Sequence, residues 1–517
     1  MSIFRHAAIV GFFTGMSRLL GFVREIVMAR YFGIGIAKSA FEIAFRIPNL
    51  FRRLFGEGAL SAAFVPVFAE ALEKDGRQKA NQLAGRALGL LATFLTLVTG
   101  AGMMAAALAM RYAPDNGRLA AVLPLLIIML PYMVLICIVA LCMGILNAVG
   151  HFVVSAASPV LLNVVWIAAV VWVCPRLGDT QDERIVGVAW AVLLAGILQL
   201  VSQLPIMRRL RVLPRISFTW RDPHIRTILW RLGPAAVGMG VHQINVIVDG
   251  VLALWAGDWA PAALSYAERL IYLPLGIFAT ALGTVLLPAF AKQAAANRES
   301  EIPATLARSL NGLMLIMTPA AAGLMVLATP ITRLAYETGE FDAEATTLTA
   351  RALVAYAPGL VVFSLYKMLT PAFYAIKDTR TPVRIGLLSV AINLVLNVIL
   401  VVTLPTYYKH AGLAFATVVA SGVNGAILAV ILTRRIGSPG WRKLASTFAR
   451  VILCTAVMAL AIRTTEHWIT PLARFTTATK TGQGMSLVAL MLSGTIAYAA
   501  AVLLFCRGEI RGLRRSR

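Results

Sequence analysis

Charge is scarce in this chain, and acid is scarcer than base. Of 517 residues only 14% are charged and 59% are hydrophobic, with 47 Lys and Arg set against 23 Asp and Glu. A soluble domain carries about 25% charged and about 45–50% apolar residues, so no soluble core absorbs this excess. A mean hydropathy of +0.80 points the same way, to an integral membrane protein. Cysteine is also rare: Cys137, Cys142, Cys174, Cys454 and Cys506 all lie in apolar stretches without a CxxC pair, which excludes a disulfide framework and a thiolate zinc site. Neither GxxxxGK[ST] nor HExxH occurs, so P-loop ATPases and thermolysin-type metalloproteases are excluded. The chain reads as no enzyme, and any driving energy comes from outside it or from an ion gradient.

What is abundant is the apolar run. About 20 apolar residues cross the roughly 30 Å hydrocarbon core. Spans are expected near 5–32, 40–71, 80–110, 119–148, 155–175, 185–207, 228–256, 261–292, 304–333, 346–376, 383–404, 411–433, 444–463 and 484–506, fourteen in all. The stretch Ile3 to Gly15 runs on into Ser17 and Arg18 without a small-x-small cleavage site, so it reads as the first span and not as a leader. With both termini cytoplasmic, 28 of the 47 cations fall on the inner side and 11, Lys38 among them, on the outer. The positive-inside rule selects that orientation. The net charge of +24 is then mostly topological, and no nucleic-acid partner is expected.

Eight cations remain within the spans: Arg18, Arg24, Arg46, Arg52, Arg53, Arg269, Arg351 and Lys367. Facing lipid, they would cost roughly 20–28 kcal/mol, more than the roughly 5–15 kcal/mol by which proteins are stable. The membrane acids Glu25, Glu42, Glu57, Asp249 and Glu268 balance five of them, which implies a hydrated, net-positive interior.

The order of motifs repeats. Ala40-Phe41, Arg46, Pro66 and Phe68-Ala69 return as Ala263-Leu264, Arg269, Pro288 and Phe290-Ala291. Asn163 with Gly187 to Ala191 returns as Asn393 with Gly412 to Ala416. Six spans per copy make the repeats parallel, related by a pseudo-two-fold along the membrane normal. The expected organisation is all-α: an N-lobe over 1–207, an Arg-rich cytoplasmic linker over 208–227, a C-lobe over 228–436, and two further helices with a basic tail over 437–517. Two six-helix lobes around a central site suit alternating access.

Helical geometry groups the charges. On a 3.6-residue period, Ser17, Gly21, Arg24, Glu25 and Arg18 share a sector of about 120° in the first span. Glu42, Arg46, Asn49, Arg53, Gly56 and Glu57 form a stripe in the second, with Arg52 at its edge. Guanidinium forks pair with phosphate or carboxylate, so the ligand read from these stripes is a polyanionic head group, most naturally a pyrophosphate. The competing reading makes the same arginines ion pairs that fasten helices. In the seventh span His242, Asn245 and Asp249 share one face, and Asn393 and Asn397 lie one turn apart in the eleventh. An acid with amide oxygens suits Na⁺ or a proton relay, against the alternative of a hydrogen-bonded helix interface. Trp166, Trp172, Trp255, Trp259, Tyr407 and Trp441 read as interfacial anchors, and Arg351 and Lys367 receive no ligand.

Longer blocks carry a resemblance. Ser17-Arg18-Leu19-Leu20-Gly21-Phe22-Val23-Arg24-Glu25, Pro48-Asn49-Leu50-Phe51-Arg52-Arg53-Leu54-Phe55-Gly56-Glu57-Gly58-Ala59 and Phe64-Val65-Pro66 resemble the signature of the MurJ (MviN) lipid II flippases. The likeness continues through Tyr266 to Leu270, Leu286-Leu287-Pro288 and Asp378 to Pro382. That family belongs to the multidrug/oligosaccharidyl-lipid/polysaccharide exporter superfamily and moves undecaprenyl-pyrophosphate-linked peptidoglycan precursor to the outer leaflet of the bacterial inner membrane. The resemblance implies that Arg18, Arg24, Arg52 and Arg269 are cavity cations, with Arg24, Glu25 and Arg269 gripping pyrophosphate, and that spans 13 and 14 hold the lipid tail. It also implies a sodium site at Asp249, Asn393, Asn397 and Thr417. Ser39 stands where relatives often carry an acid, with Glu42 one turn on, and Tyr272 replaces a second acid. The expected binding set is therefore Ser17, Arg18, Arg24, Glu25, Asn49, Arg52, Arg53, Glu57 and Arg269. The expected partners are lipid II, membrane lipids and other wall-synthesis proteins, around a monomer with no cofactor but Na⁺. The rival readings are a related polysaccharide-lipid flippase, a cation-coupled drug exporter, for which the interior is too basic, and a scaffold in wall synthesis.

Overall fold

The computed structural model describes residues 3–56, 59–112, 117–218, 222–473 and 479–508. Among them it is helical nearly throughout, and no strand occurs. The helices are α1 (Ile3–Phe32), α2 (Ile36–Phe51), α3 (Ala59–Lys74), α4 (Gly76–Tyr112), α5 (Gly117–Ala148), α6 (Val153–Ala168), α7 (Cys174–Leu177), α8 (Gln181–Arg209), α9 (Pro223–Ala256) and α10 (Ala260–Pro274). They continue as α11 (Thr280–Ala295), α12 (Ile302–Val326), α13 (Ala328–Tyr336), α14 (Ala343–Tyr356), α15 (Gly359–Ala375), α16 (Arg380–Thr403), α17 (Thr406–Ile436), α18 (Trp441–Ala473) and α19 (Lys480–Phe505).

Among the described residues ten helices are long and apolar enough to cross a membrane, or eleven if α14 and α15, bent by 42°, count as one span. Pro358 at that bend lacks the N–H a continuous helix needs. α1, α2, α3 and α9 lie outside the ten, and the first two hold Arg18, Arg24, Glu25, Glu42 and Arg46 of the intramembrane charges. Large apolar side chains such as Phe94, Leu97 and Met104 on α4 and Leu492, Ile496 and Leu503 on α19 are exposed. Hydrocarbon, not water, suits such faces.

The second expected span is not one continuous helix. α2 ends at Phe51, and a π-helical turn follows over Arg52–Gly56. Pro48 explains the break, because a proline inside a helix removes a backbone donor and crowds the preceding turn. Two further π turns lie at Ala169–Val173 and at Leu275–Ala279, the latter directly after Pro274. The ends of the latter fall 223 residues after those of the turn at Arg52–Gly56, 52 to 275 and 56 to 279, within the spacing of the sequence repeat.

The chain forms two compact units, Met1–Leu254 and Trp255–Arg517. In the first, Phe41, Phe45 and Trp166 pack edge to face at 5.1 and 5.3 Å, with Tyr132 beside Phe45. In the second, Tyr266, Tyr336 and Phe341 form a buried aromatic group, and Gly494 lets α19 approach Ile462 of α18 closely. Side-chain caps hold several helix starts: Thr180 and Glu183 form a reciprocal capping box on α8, Asp342 accepts from the Ala345 amide of α14 at 2.7 Å, and Thr479 accepts from the Gly482 amide of α19 at 3.2 Å.

The Arg-rich linker is not free. Its segment 210–218 lies on α4, where Asn81 donates to the Arg211 carbonyl, Arg77 to the Leu210 carbonyl, and the Ser217 amide to the Gly85 carbonyl at 3.1 Å. Gly85 and Gly89 make the groove: a Cβ at either would overlap the carbonyl of Arg215 or Ser217. Arg86, beside Gly85, pairs with Asp222 and closes the strap.

Candidate substrate site

Two helices of the first unit carry the charges. The carboxylate of Glu25 on α1 accepts from Arg24 Nη2 at 2.6 Å and lies 3.5 Å from Nζ of Lys38 on α2. That ammonium donates to Glu42, one turn further along α2, at 2.5 Å. Arg24 is 7% exposed, Glu25 2% and Lys38 0%. Two acids and two bases thus alternate in a row that is buried except at Glu42, whose side chain is 14% exposed, and each charge has an opposite neighbour as burial demands.

Arg24 is held on three sides. Nη1 donates to Asn163 Oδ1 at 3.1 Å, and Asn163 in turn donates to the Ser17 carbonyl at 3.1 Å. The guanidinium carbon lies 4.2 Å over the Trp166 ring, and Nε is buried without a hydrogen-bond partner. Trp166 is therefore no interfacial anchor. It is 2% exposed, with its indole N–H toward Met28 Sδ, and supplies the π-face for a cation. Trp172 and Trp255 do lie exposed.

Lys38 is the residue that sequence reasoning missed. The topology read from sequence places it among the outer cations, yet it is buried and belongs to the charge row. The signal was available, because Lys38 lies four residues before Glu42 and so on the stripe of Glu42 and Arg46. Ser39, in place of an acid, is also buried.

The remaining predicted residues are placed less uniformly. Arg18 is exposed although it points nearly as Glu25 does, since seven residues separate them by about 10 Å along α1. Arg46 donates to the Val246 carbonyl of α9 at 2.7 Å, and Gly250 makes room for its guanidinium. It fastens helices, though through a carbonyl and not an ion pair. Arg52 Nε donates to Asn49 Oδ1 at 2.8 Å, and Arg53 is half-buried on the π turn. Glu57 lies outside the described residues, as does the side chain of His242. Arg269 is exposed on α10 in the second unit.

Of the residues expected around Na⁺, Asp249 lies in the first unit, where Asn245 donates to it at 3.1 Å. In the second, Asn397 donates to Asn393 Oδ1 at 2.9 Å and Asn393 to Thr417 Oγ1 at 3.3 Å. Arg351 lies 4.9 Å over Tyr408 and 5.5 Å over Tyr407, and Lys367 donates to Thr280 at 2.8 Å.

Fold and charge row together define a multi-pass, all-helical membrane protein with buried cations, and comparison with known proteins makes the class specific. The structure superposes on a solved structure described as "Lipid II flippase MurJ, inward closed conformation" with a TM-score of 0.80, at 24% identity over 97% of this chain and all of that one. It matches an inward-facing multidrug resistance MATE family transporter of the MOP superfamily with a TM-score of 0.69, at 16% identity over 83% of this chain and 96% of the other. Both likenesses concern the fold. In sequence, the family described as Lipid II flippase MurJ matches residues 28–479. A lipid II flippase MurJ of Burkholderia cenocepacia is 34% identical across 97% of this chain and 96% of its own length. The chain belongs to the MurJ family.

Proposed function

We propose that this protein flips lipid II, the undecaprenyl-pyrophosphate-linked peptidoglycan precursor, from the inner to the outer leaflet of the bacterial cytoplasmic membrane by alternating access. It is a transporter and not a catalyst. Family membership across residues 28–479 is the observation that carries the reading. The buried charge row supports its chemistry, because a guanidinium stacked on an indole and steered by an amide has its planar fork fixed for a phosphate oxygen pair.

In this reading Arg18, Arg24, Arg52, Arg53 and Arg269 receive the pyrophosphate, with Ser17, Glu25, Asn49 and Glu57 as polar supports. Fourteen spans form two six-helix lobes, 1–207 and 228–436, joined by the 208–227 linker and followed by two helices and a tail over 437–517. Both termini are cytoplasmic, and the protein works as a monomer alongside other wall-synthesis proteins. Asp249, Asn393, Asn397 and Thr417 offer hard oxygen donors of the kind Na⁺ takes, and the ion would supply positive charge that resets the inward-open state.

The experiment is depletion in the native host with a probe that reports on which leaflet the precursor lies. Depletion is expected to trap lipid II on the inner leaflet, and Arg24→Ala or Arg269→Ala to fail to release it. Continued arrival at the outer leaflet after depletion overturns the assignment.

A further inference from the structure

The charge row holds one more cation than the pyrophosphate reading uses. Lys38 has no exposed surface and stands between two carboxylates, 2.5 Å from Glu42 and 3.5 Å from Glu25. Glu25 in turn stands between two cations, close to Arg24 at 2.6 Å and further from Lys38. An incoming anion at Arg24 competes with Glu25 for the same guanidinium. A carboxylate released from its partner inside a membrane protein cannot turn to bulk water, so its release is costly unless a second cation takes it over.

We propose that Lys38 is that second cation: a positioning residue which receives Glu25 when the pyrophosphate takes Arg24, and whose availability Glu42 sets by competing for the same ammonium. The inference rests on the flippase reading and adds to it a residue outside the predicted binding set. The exchange needs no net change of charge in the row. Glu25 moves from a 2.6 Å bond to Arg24 toward an ammonium already 3.5 Å away, and Glu42 yields part of its hold. Lys38 touches no phosphate in this scheme. It acts through Glu25, and so governs how readily Arg24 becomes free.

The test measures binding of lipid II to the full chain in nanodiscs, with thermal unfolding recorded for every variant. Glu42→Gln removes the closer of the two carboxylates at Lys38 and is expected to tighten binding by about threefold or more. The charge-balanced pair Lys38→Met with Glu42→Gln removes the receiving cation and is expected to weaken binding by about tenfold or more, equivalent to about 1.4 kcal/mol. Adding Glu25→Gln to that pair removes the carboxylate that needs receiving and is expected to recover part, not all, of the affinity the pair loses. A purely structural Lys38 predicts the opposite: the charge-balanced pair binds like wild type, and Glu42→Gln alone changes nothing or weakens binding. Either result overturns the proposal, and the single substitution decides the matter if the pair does not fold. Arg24→Ala separates the two levels. If it binds lipid II like wild type, the pyrophosphate reading of the site fails; if it loses binding while the Lys38 pair does not, only the exchange fails.

Discussion

Replacing Gly85 by alanine tests how the linker is held. A methyl group there would overlap the Arg215 carbonyl, so the strap must lift or α4 must shift. Lifting breaks the 3.1 Å bond from the Ser217 amide to the Gly85 carbonyl, worth about 1 kcal/mol, and overpacking adds about 1–3 kcal/mol. Alanine also improves the helix by about 1 kcal/mol, but equally with the strap docked or open, so that gain does not move the strap's equilibrium. The net penalty on the docked strap is about 2–4 kcal/mol, a roughly 30- to 700-fold rise in its open population. Limited trypsin digestion reads that population at Arg209, Arg211 and Arg215, since cleavage follows the open fraction when reclosing is fast. Gly100→Ala on the same helix is the control, because a Cβ there meets nothing within 4 Å. The control keeps the helix gain without the clash and should be cleaved at the wild-type rate. Equal cleavage of the Gly85 and Gly100 variants would refute the groove.

The strap also has an acid limit. Burial raises the Asp222 carboxyl, but hydrogen bonds from the His224 amide, the Arg86 guanidinium and the His224 ring outweigh it and hold the group below its ordinary value. A depressed carboxyl stabilises above its unfolded pKa of about 3.9 and ceases to do so as pH falls through the folded value. Amide exchange over 212–218, corrected for intrinsic rate, should stay flat from about pH 7 to 5 and rise below about pH 4; Asp222→Asn should remove the rise, and an acid limb that survives the substitution counts against the pairing. Trp166→Leu deletes the π-face under Arg24 and two edge-to-face contacts, at an expected cost of about 1–2 kcal/mol or more in unfolding free energy, with Trp166→Phe losing less. Unfolding curves for both variants that match wild type would dismiss the stacking role. Under the sodium reading, Na⁺ in place of choline raises the unfolding temperature of the wild type and not that of Asp249→Asn. An undiminished rise in the variant removes Asp249 from the ion site.

Much of the molecule was legible in one dimension because the bilayer leaves few choices. Helix is the open-chain structure that satisfies its own backbone without water, so the apolar runs determined that helices form and roughly where. The family was equally legible, since the Pro48 to Ala59 block is long and its residue types specific. The charged stripe on α2 followed from period alone.

What one dimension withheld was depth and partner. Lys38 and Arg30 look alike as cations near the ends of apolar runs, yet Lys38 is wholly buried and Arg30 exposed, because acids of α1 and α2 converge on the former. Trp166 and Trp172 lie six residues apart, and only neighbours from α1 and α2 decide that the first meets Arg24 and the second faces outward. Hydropathy measures what a residue prefers; which preference is met depends on side chains brought beside it from distant parts of the chain, and that is a property of the packed molecule.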